Sequence, residues 1–112
     1  MIYKVCSQAE WQAAGRSGAY KGSSDDLRDG FIHFSSAGQL ATTLAKHFAG
    51  RNDLVLVHVD AAVLGDTLKW EKSRGGELFP HLYGPLSVAD AAYIQELELG
   101  KDGHILPDLE AV

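Results

Sequence analysis

The sequence predicts an α+β fold with two main helices in its N-terminal half and a twisted, mostly antiparallel sheet. Two capped helical patterns fall before residue 50, short extended runs dominate after residue 54, and the strand–helix alternation of a doubly wound fold stops near residue 60. No repeat or low-complexity stretch divides the 112 residues, so a single domain is expected over 1–100, with a loosely held tail over 101–112.

Ile2–Cys6 alternates as a first strand. Ser7-Gln-Ala-Glu10 then has capping-box spacing and opens a helix with Trp11 and Ala14 inward, ending at Gly15 or Gly18. Gly18–Asp29 is polar and rich in turn residues and reads as a surface loop with one helical turn in it. Phe31–Ser35 reads as a strand with Phe31, His33 and Ser35 on one face and Ile32 and Phe34 on the other. Ser36-Ala-Gly-Gln39 repeats the capping spacing before a helix with Leu40, Leu44 and Phe48 inward, and Gly50 ends it.

Leu54–Asp60 is apolar on both faces, the pattern of a central strand covered on both sides. A short helical turn follows at Ala61–Leu64. Thr67–Lys72 places Leu68 and Trp70 opposite Lys69 and Glu71, and Pro80 keeps Leu78–Tyr83 extended. Ala91–Leu99 alternates as a half-exposed final strand.

Composition narrows the function. Ten basic residues are scattered among fifteen acids, giving a net charge of −5. Binding along a nucleic-acid backbone needs clustered Lys and Arg, so extended nucleic acid is not an expected partner. No apolar run reaches membrane-spanning length, and the N-terminal residues lack a secretory layout, so the expected location is the cytoplasm. Cys6 is the single cysteine and reads as a small packing residue.

The densest chemistry lies in Lys69–Gly84, KWEKSRGGELFPHLYG. His81 follows Pro80 and shares a face with Tyr83; such a pair suits sugar hydroxyls or a ring, and a structural place at a sheet edge is the alternative. Glu71 and Arg74 bracket Ser73, and Gly75-Gly76 lets backbone amides approach a phosphate. A surface Glu–Arg pair is the plainer reading. His33 ends its strand beside Ser35 and the capped helix at Ser36, where an anion could be held; taken alone it also fits a core histidine. These residues are expected to build a pocket for a small anionic ligand: His33, Glu71 and His81 as catalytic groups, with Ser35, Ser36, Ser73, Arg74, Gly75, Gly76 and Tyr83 binding substrate. His47, His58 and His104 read as structural or peripheral. No metal-ligand spacing joins His33, His81 and Glu71, and no Walker, Rossmann or GxSxG motif is present.

The segments Ile2-Tyr-Lys4, Trp11, Tyr20, Asp29-Gly-Phe-Ile-His33, Gln39, His47-Phe48, Leu54–Leu56, Trp70-Glu71 and Gly75-Gly76-x-x-Phe79-Pro80-His81-Leu82-Tyr83-Gly84 resemble the small bacterial family called domain of unknown function 952. That family is grouped with the ADP-ribosyltransferase-like fold, a split and strongly twisted antiparallel sheet, and is distantly similar to the RNA 2′-phosphotransferase family. The resemblance sets His33 at a nucleotide-facing position and the Glu71–Arg74 turn near a ribose. It implies an enzyme acting on NAD or an ADP-ribose-containing small molecule as substrate. Tyr3-Lys4-Val5 stands where the transferases carry His-Gly-Thr, and the phosphotransferases' substrate arginines have no clear counterpart apart from Arg74. The alternative is a non-catalytic sensor of a small nucleotide-like metabolite.

Overall fold

A computed structural model describes residues 1–109 and, within them, leaves the side chain of Arg74 undescribed. Strands and helices run in the order β1 (Ile2–Ser7), α1 (Gln8–Ser17), β2 (Ala19–Tyr20), α2 (Ser24–Asp29), β3 (Ile32–His33), α3 (Leu40–His47) and β4 (Leu54–Val59). They continue with β5 (Leu68–Lys72), β6 (Leu78–Leu82), β7 (Leu86–Ser87), β8 (Ala91–Glu96), β9 (Glu98–Gly100) and β10 (Gly103–Ile105), with short 3-10 turns between. The architecture is α+β, and every strand pairing among the described residues is antiparallel.

Two three-stranded sheets form the body, ordered β1-β4-β8 and β3-β6-β5. A single bridge joins them: the Tyr3 and Ser35 amides each donate to the other's carbonyl at 2.9 Å. β4 lies at the centre of the first sheet because both its faces are apolar. Val55, Val57 and Val59 meet Ile2, Cys6, Trp11 and Ile32 on one side. Leu54 and Leu56 meet Tyr3, Val5, Leu40 and Leu44 on the other. Each such side chain, fully buried, contributes about 1.5–3 kcal/mol.

The first capping box is present, with Ser7 Oγ accepting from the Glu10 amide and Glu10 Oε1 from the Ser7 amide, and α1 ends at a left-handed Gly18. Trp11 and Ala14 face inward as expected.

Four expectations need correction. Gly18–Asp29 is mostly exposed and holds the expected helical turn as α2 (Ser24–Asp29, capped by Ser23), but it is not all loop: Ala19–Tyr20 pairs with β7. Its Asp26 is buried because a lysine from β1 neutralises it. The strand expected over Phe31–Ser35 has regular pairing only at Ile32 and His33, and Ser35 turns away to bridge β1. The expected strand Ala91–Leu99 breaks at Leu97, which is buried while its amide donates to the Leu54 carbonyl. The segment expected as a loose tail pairs instead: β10 closes a hairpin on β9, and Leu106 and Leu109 pack against the Leu54–Leu56 face. Residues 110–112 lie outside the described part.

Candidate functional site

The second sheet brings the two histidines of interest together. His33 on β3 is the register partner of His81 on β6, and paired residues of an antiparallel sheet project from the same face. Their ring centroids are 5.5 Å apart, edge to face. Phe31 covers the pair, 4.0 Å from the His81 ring in a stacked arrangement and 4.6 Å from His33.

Each imidazole is held through Nδ1 by a carboxylate. His33 Nδ1 lies 2.6 Å from Asp26 Oδ1, and the His33 amide donates to the same oxygen at 3.1 Å. His81 Nδ1 lies 2.9 Å from Glu71 Oε1, which also accepts from the Tyr83 hydroxyl at 2.7 Å. The far nitrogens differ. His33 Nε2 is 3.1 Å from Asp29 Oδ2. His81 Nε2 is buried and has no hydrogen-bond partner among the described residues.

Asp26 anchors this arrangement. Its Oδ2 takes Lys4 Nζ at 2.7 Å and the Ser23 amide at 2.9 Å, while Lys4 Nζ also donates to the His33 carbonyl at 3.1 Å. Burial alone would raise its pKa, but the His33 hydrogen bond and the Lys4 charge outweigh that and hold Asp26 well below the usual carboxylate range. Glu71 is also lowered, by the Tyr83 hydroxyl first and then by His81, and the same bond raises Tyr83. Asp29 is lowered mainly by its bond from Arg28.

A cavity of about 300 Å³ opens beside the imidazoles, walled by β1 at Lys4, by α2 at Asp26 and Asp29, and by α3 at Thr43 and Lys46. Ser35, Ser73, Phe79, His33 and His81 complete the side nearest the second sheet. Ser35 Oγ and Thr43 Oγ1 are hydrogen-bonded at 2.9 Å. Gln39 donates to the Leu78 carbonyl at 2.8 Å and to Glu77 at 3.1 Å, tying the turn before α3 to the start of β6.

Of the residues expected at a site, His33, His81, Ser35 and Ser73 therefore share one cavity wall. Glu71 and Tyr83 stand behind His81 and do not line it, because β5 and β6 carry them along the far side of the ring. The Ser36 amide is taken by Gln39 Oε1 at 2.9 Å, a 3-10 turn precedes α3 there, and Ser36 does not line the cavity. Gly75 and Gly76, with φ of 73° and 78°, shape the β5–β6 turn rather than the cavity. The Arg74 side chain lies outside the described part.

Sequence reasoning missed Asp26, Lys4, Asp29, Thr43 and Lys46. One signal was available: Ser23-x-x-Asp26 has the same capping spacing that marked α1, and both bonds of that box form. Lys4 on an otherwise apolar strand was the second, since a buried ammonium needs a carboxylate partner.

Fold and site together define a small α+β protein with a polar cavity built around two carboxylate-bound imidazoles. The chain belongs to the family described as protein of unknown function DUF952, whose profile matches residues 5–93. It is similar to the crystal structure of protein CC0527 from Caulobacter crescentus, at 50% identity and a TM-score of 0.89, over 98% of this chain and 95% of that one. It is also similar to the solution structure of CC0527, at 51% identity and a TM-score of 0.83, over 92% and 89% of the two chains. No curated protein matches the chain. Among the described residues no helix is long and apolar enough to cross a membrane.

Proposed function

We propose that this protein is an enzyme that takes a small, anionic, nucleotide-like molecule into the cavity and acts on it through His33 and His81. The observation that carries this reading is the pairing itself. Two imidazoles lie 5.5 Å apart on one cavity wall, each held at Nδ1 by its own carboxylate, which fixes ring orientation for proton transfer. NAD or an ADP-ribose-containing molecule is the substrate class, as the family resemblance implies. The finer fold assignment, ADP-ribosyltransferase-like with a distant kinship to the RNA 2′-phosphotransferases, is supported by two three-stranded antiparallel sheets meeting at one bridge. The role of Glu71 changes in this reading. It positions His81 instead of touching a developing cation, because it lies outside the cavity wall.

That same displacement of Glu71 favours a second reading, a sensor that binds the metabolite without turning it over. Isothermal titration with NAD, ADP-ribose and nicotinamide, followed by product analysis, separates the two. Saturable binding of NAD or ADP-ribose with consumption supports the enzyme. Binding without consumption selects the sensor, and no heat with any of the three at millimolar concentration removes both.

A further inference from the structure

The two imidazoles are not equivalent, and the difference gives each a distinct task. His33 has a carboxylate at both ring nitrogens, Asp26 at 2.6 Å and Asp29 at 3.1 Å, and both contacts are hydrogen bonds only when both nitrogens carry protons. His81 has a carboxylate at Nδ1 alone. With its one proton directed to Glu71, the neutral ring leaves Nε2 as a bare acceptor, buried and without a partner among the described residues. His81 lines the cavity wall and Glu71 does not, while His81 Nε2 itself is closed to solvent until that wall shifts.

We propose, building on the reading that the cavity takes a nucleotide-like anion, that the pair performs general acid–base hydrolysis of a P–O bond in that ligand, in a phosphodiester (open or cyclic) or a pyrophosphate bridge. His81 Nε2 is the acceptor and His33 Nε2–H the donor. The surroundings suit a phosphoryl group. Of the two hydroxyl hydrogens in the Ser35–Thr43 pair, their mutual bond uses one and leaves the other for a phosphoryl oxygen. Every carboxylate of the wall is already met by a donor: Asp25 and Asp29 by Arg28, Asp26 by Lys4, and Glu77 by Gln39. Lys46 is exposed at the rim and makes no ion pair among the described residues, so it is available to an incoming anion. A volume of about 300 Å³ lies at the low end for ligand pockets, room for the one nucleotide-sized part of such a ligand that carries the scissile bond.

In the step, water attacks phosphorus and gives up a proton to His81 Nε2 as the new P–O bond forms. The bond to the leaving oxygen breaks, and that oxygen takes the proton of His33 Nε2, which swings free of the half-exposed Asp29. His81 ends protonated and His33 ends singly protonated; exchange through the solvent-facing His33 restores both. The proton count balances, and no electron transfer is involved.

The test uses the full chain with 2′,3′-cyclic AMP, bis(4-nitrophenyl) phosphate and ADP-ribose in ¹⁸O water. We expect hydrolysis of at least one, with ¹⁸O in the phosphoryl product and a bell-shaped pH profile. His81→Gln should lower kcat by about 100-fold or more and remove the acidic limb, and His33→Gln should do the same to the alkaline limb. Glu71→Gln should lower kcat with little change in KM, the mark of a positioning residue. Should a variant fail to fold, ¹⁵N NMR of the unmodified protein at about pH 8 reads the His81 tautomer directly. A proton on Nδ1 supports the proposal, and a proton on Nε2 overturns it. Binding of NAD or ADP-ribose with no P–O bond cleaved in any of the three probes, or with release of nicotinamide alone, overturns this inference while sparing the functional reading. Cleavage of a cyclic phosphodiester without affinity for NAD or ADP-ribose supports this inference and removes their class as substrate.

Discussion

Asp26→Asn is the most informative perturbation of the site. Asp26 accepts four hydrogen bonds, from Lys4 Nζ, the Ser23 amide, and the amide and ring of His33. Its side chain and that of Lys4 are 2% and 6% exposed. Asparagine keeps the shape but has one acceptor oxygen where the carboxylate has two, and it leaves the Lys4 ammonium buried without a counter-charge. Breaking a buried pair from one side costs about 3–5 kcal/mol, which for a domain of this size lowers Tm by roughly 10–20 °C. Urea unfolding and thermal scans of Asp26→Asn, Lys4→Met and the double variant form a cycle. The double variant should recover a coupling of about 2 kcal/mol, because removing both charges leaves neither stranded. A loss below about 1 kcal/mol for Asp26→Asn, or strictly additive single effects, would refute the view that this pair holds α2 against β1. The acid limb is a second check. A carboxyl lowered on folding stabilises above its unfolded value near 3.9 and loses that contribution as pH falls through the folded value. The wild type should therefore lose stability steeply below about pH 4, and Asp26→Asn should lose less over the same range.

Three other outcomes follow from single residues. Gly22→Ala would put a Cβ 2.6 Å from Asp26 Cβ at a φ of 113°, so it should destabilise by about 1–3 kcal/mol in urea titrations and disturb the His33 NMR signals. His58 is buried between Tyr3 and Tyr93, and its burial lowers its pKa. Its contribution to stability is full above its unfolded value near 6.5 and is lost as pH falls below that, so replacing it with glutamine should flatten stability as pH falls below about 6.5. Cys6 is buried, and burial first, then Glu10 and Asp26, push its thiol up to about 12 against the opposing Lys4 charge. Native protein should resist alkylation at mildly alkaline pH and react only with the unfolded fraction.

Much of the fold could be read residue by residue because local rules determine it. The apolar run at Leu54–Val59 has two covered faces, and only a central strand offers both. Ser7–Glu10 caps its helix through contacts three residues apart, and Pro80 keeps β6 extended without help from elsewhere. Alternation also put Glu71 opposite Trp70, as the register confirms. What alternation does not specify is which side of an imidazole a carboxylate will occupy, so Glu71 was expected at the ligand and stands behind His81. Asp26 escaped notice because its burial depends on Lys4, twenty-two positions earlier, and nothing local in a polar Ser-Asp run announces that partner. The break at Leu97 has the same origin: its amide bonds to Leu54, a contact that only the assembled sheet provides.

The central claim is that His33 and His81 meet one ligand in the cavity between β1, α2 and α3. Titrating ADP-ribose, and separately NAD, into ¹⁵N-histidine-labelled protein tests it most directly. The account predicts saturable shifts at the His33 and His81 imidazoles while the His58 and His104 rings, which do not line the cavity, shift far less. Shifts confined to those other rings, or none at any histidine up to millimolar ligand, would contradict it.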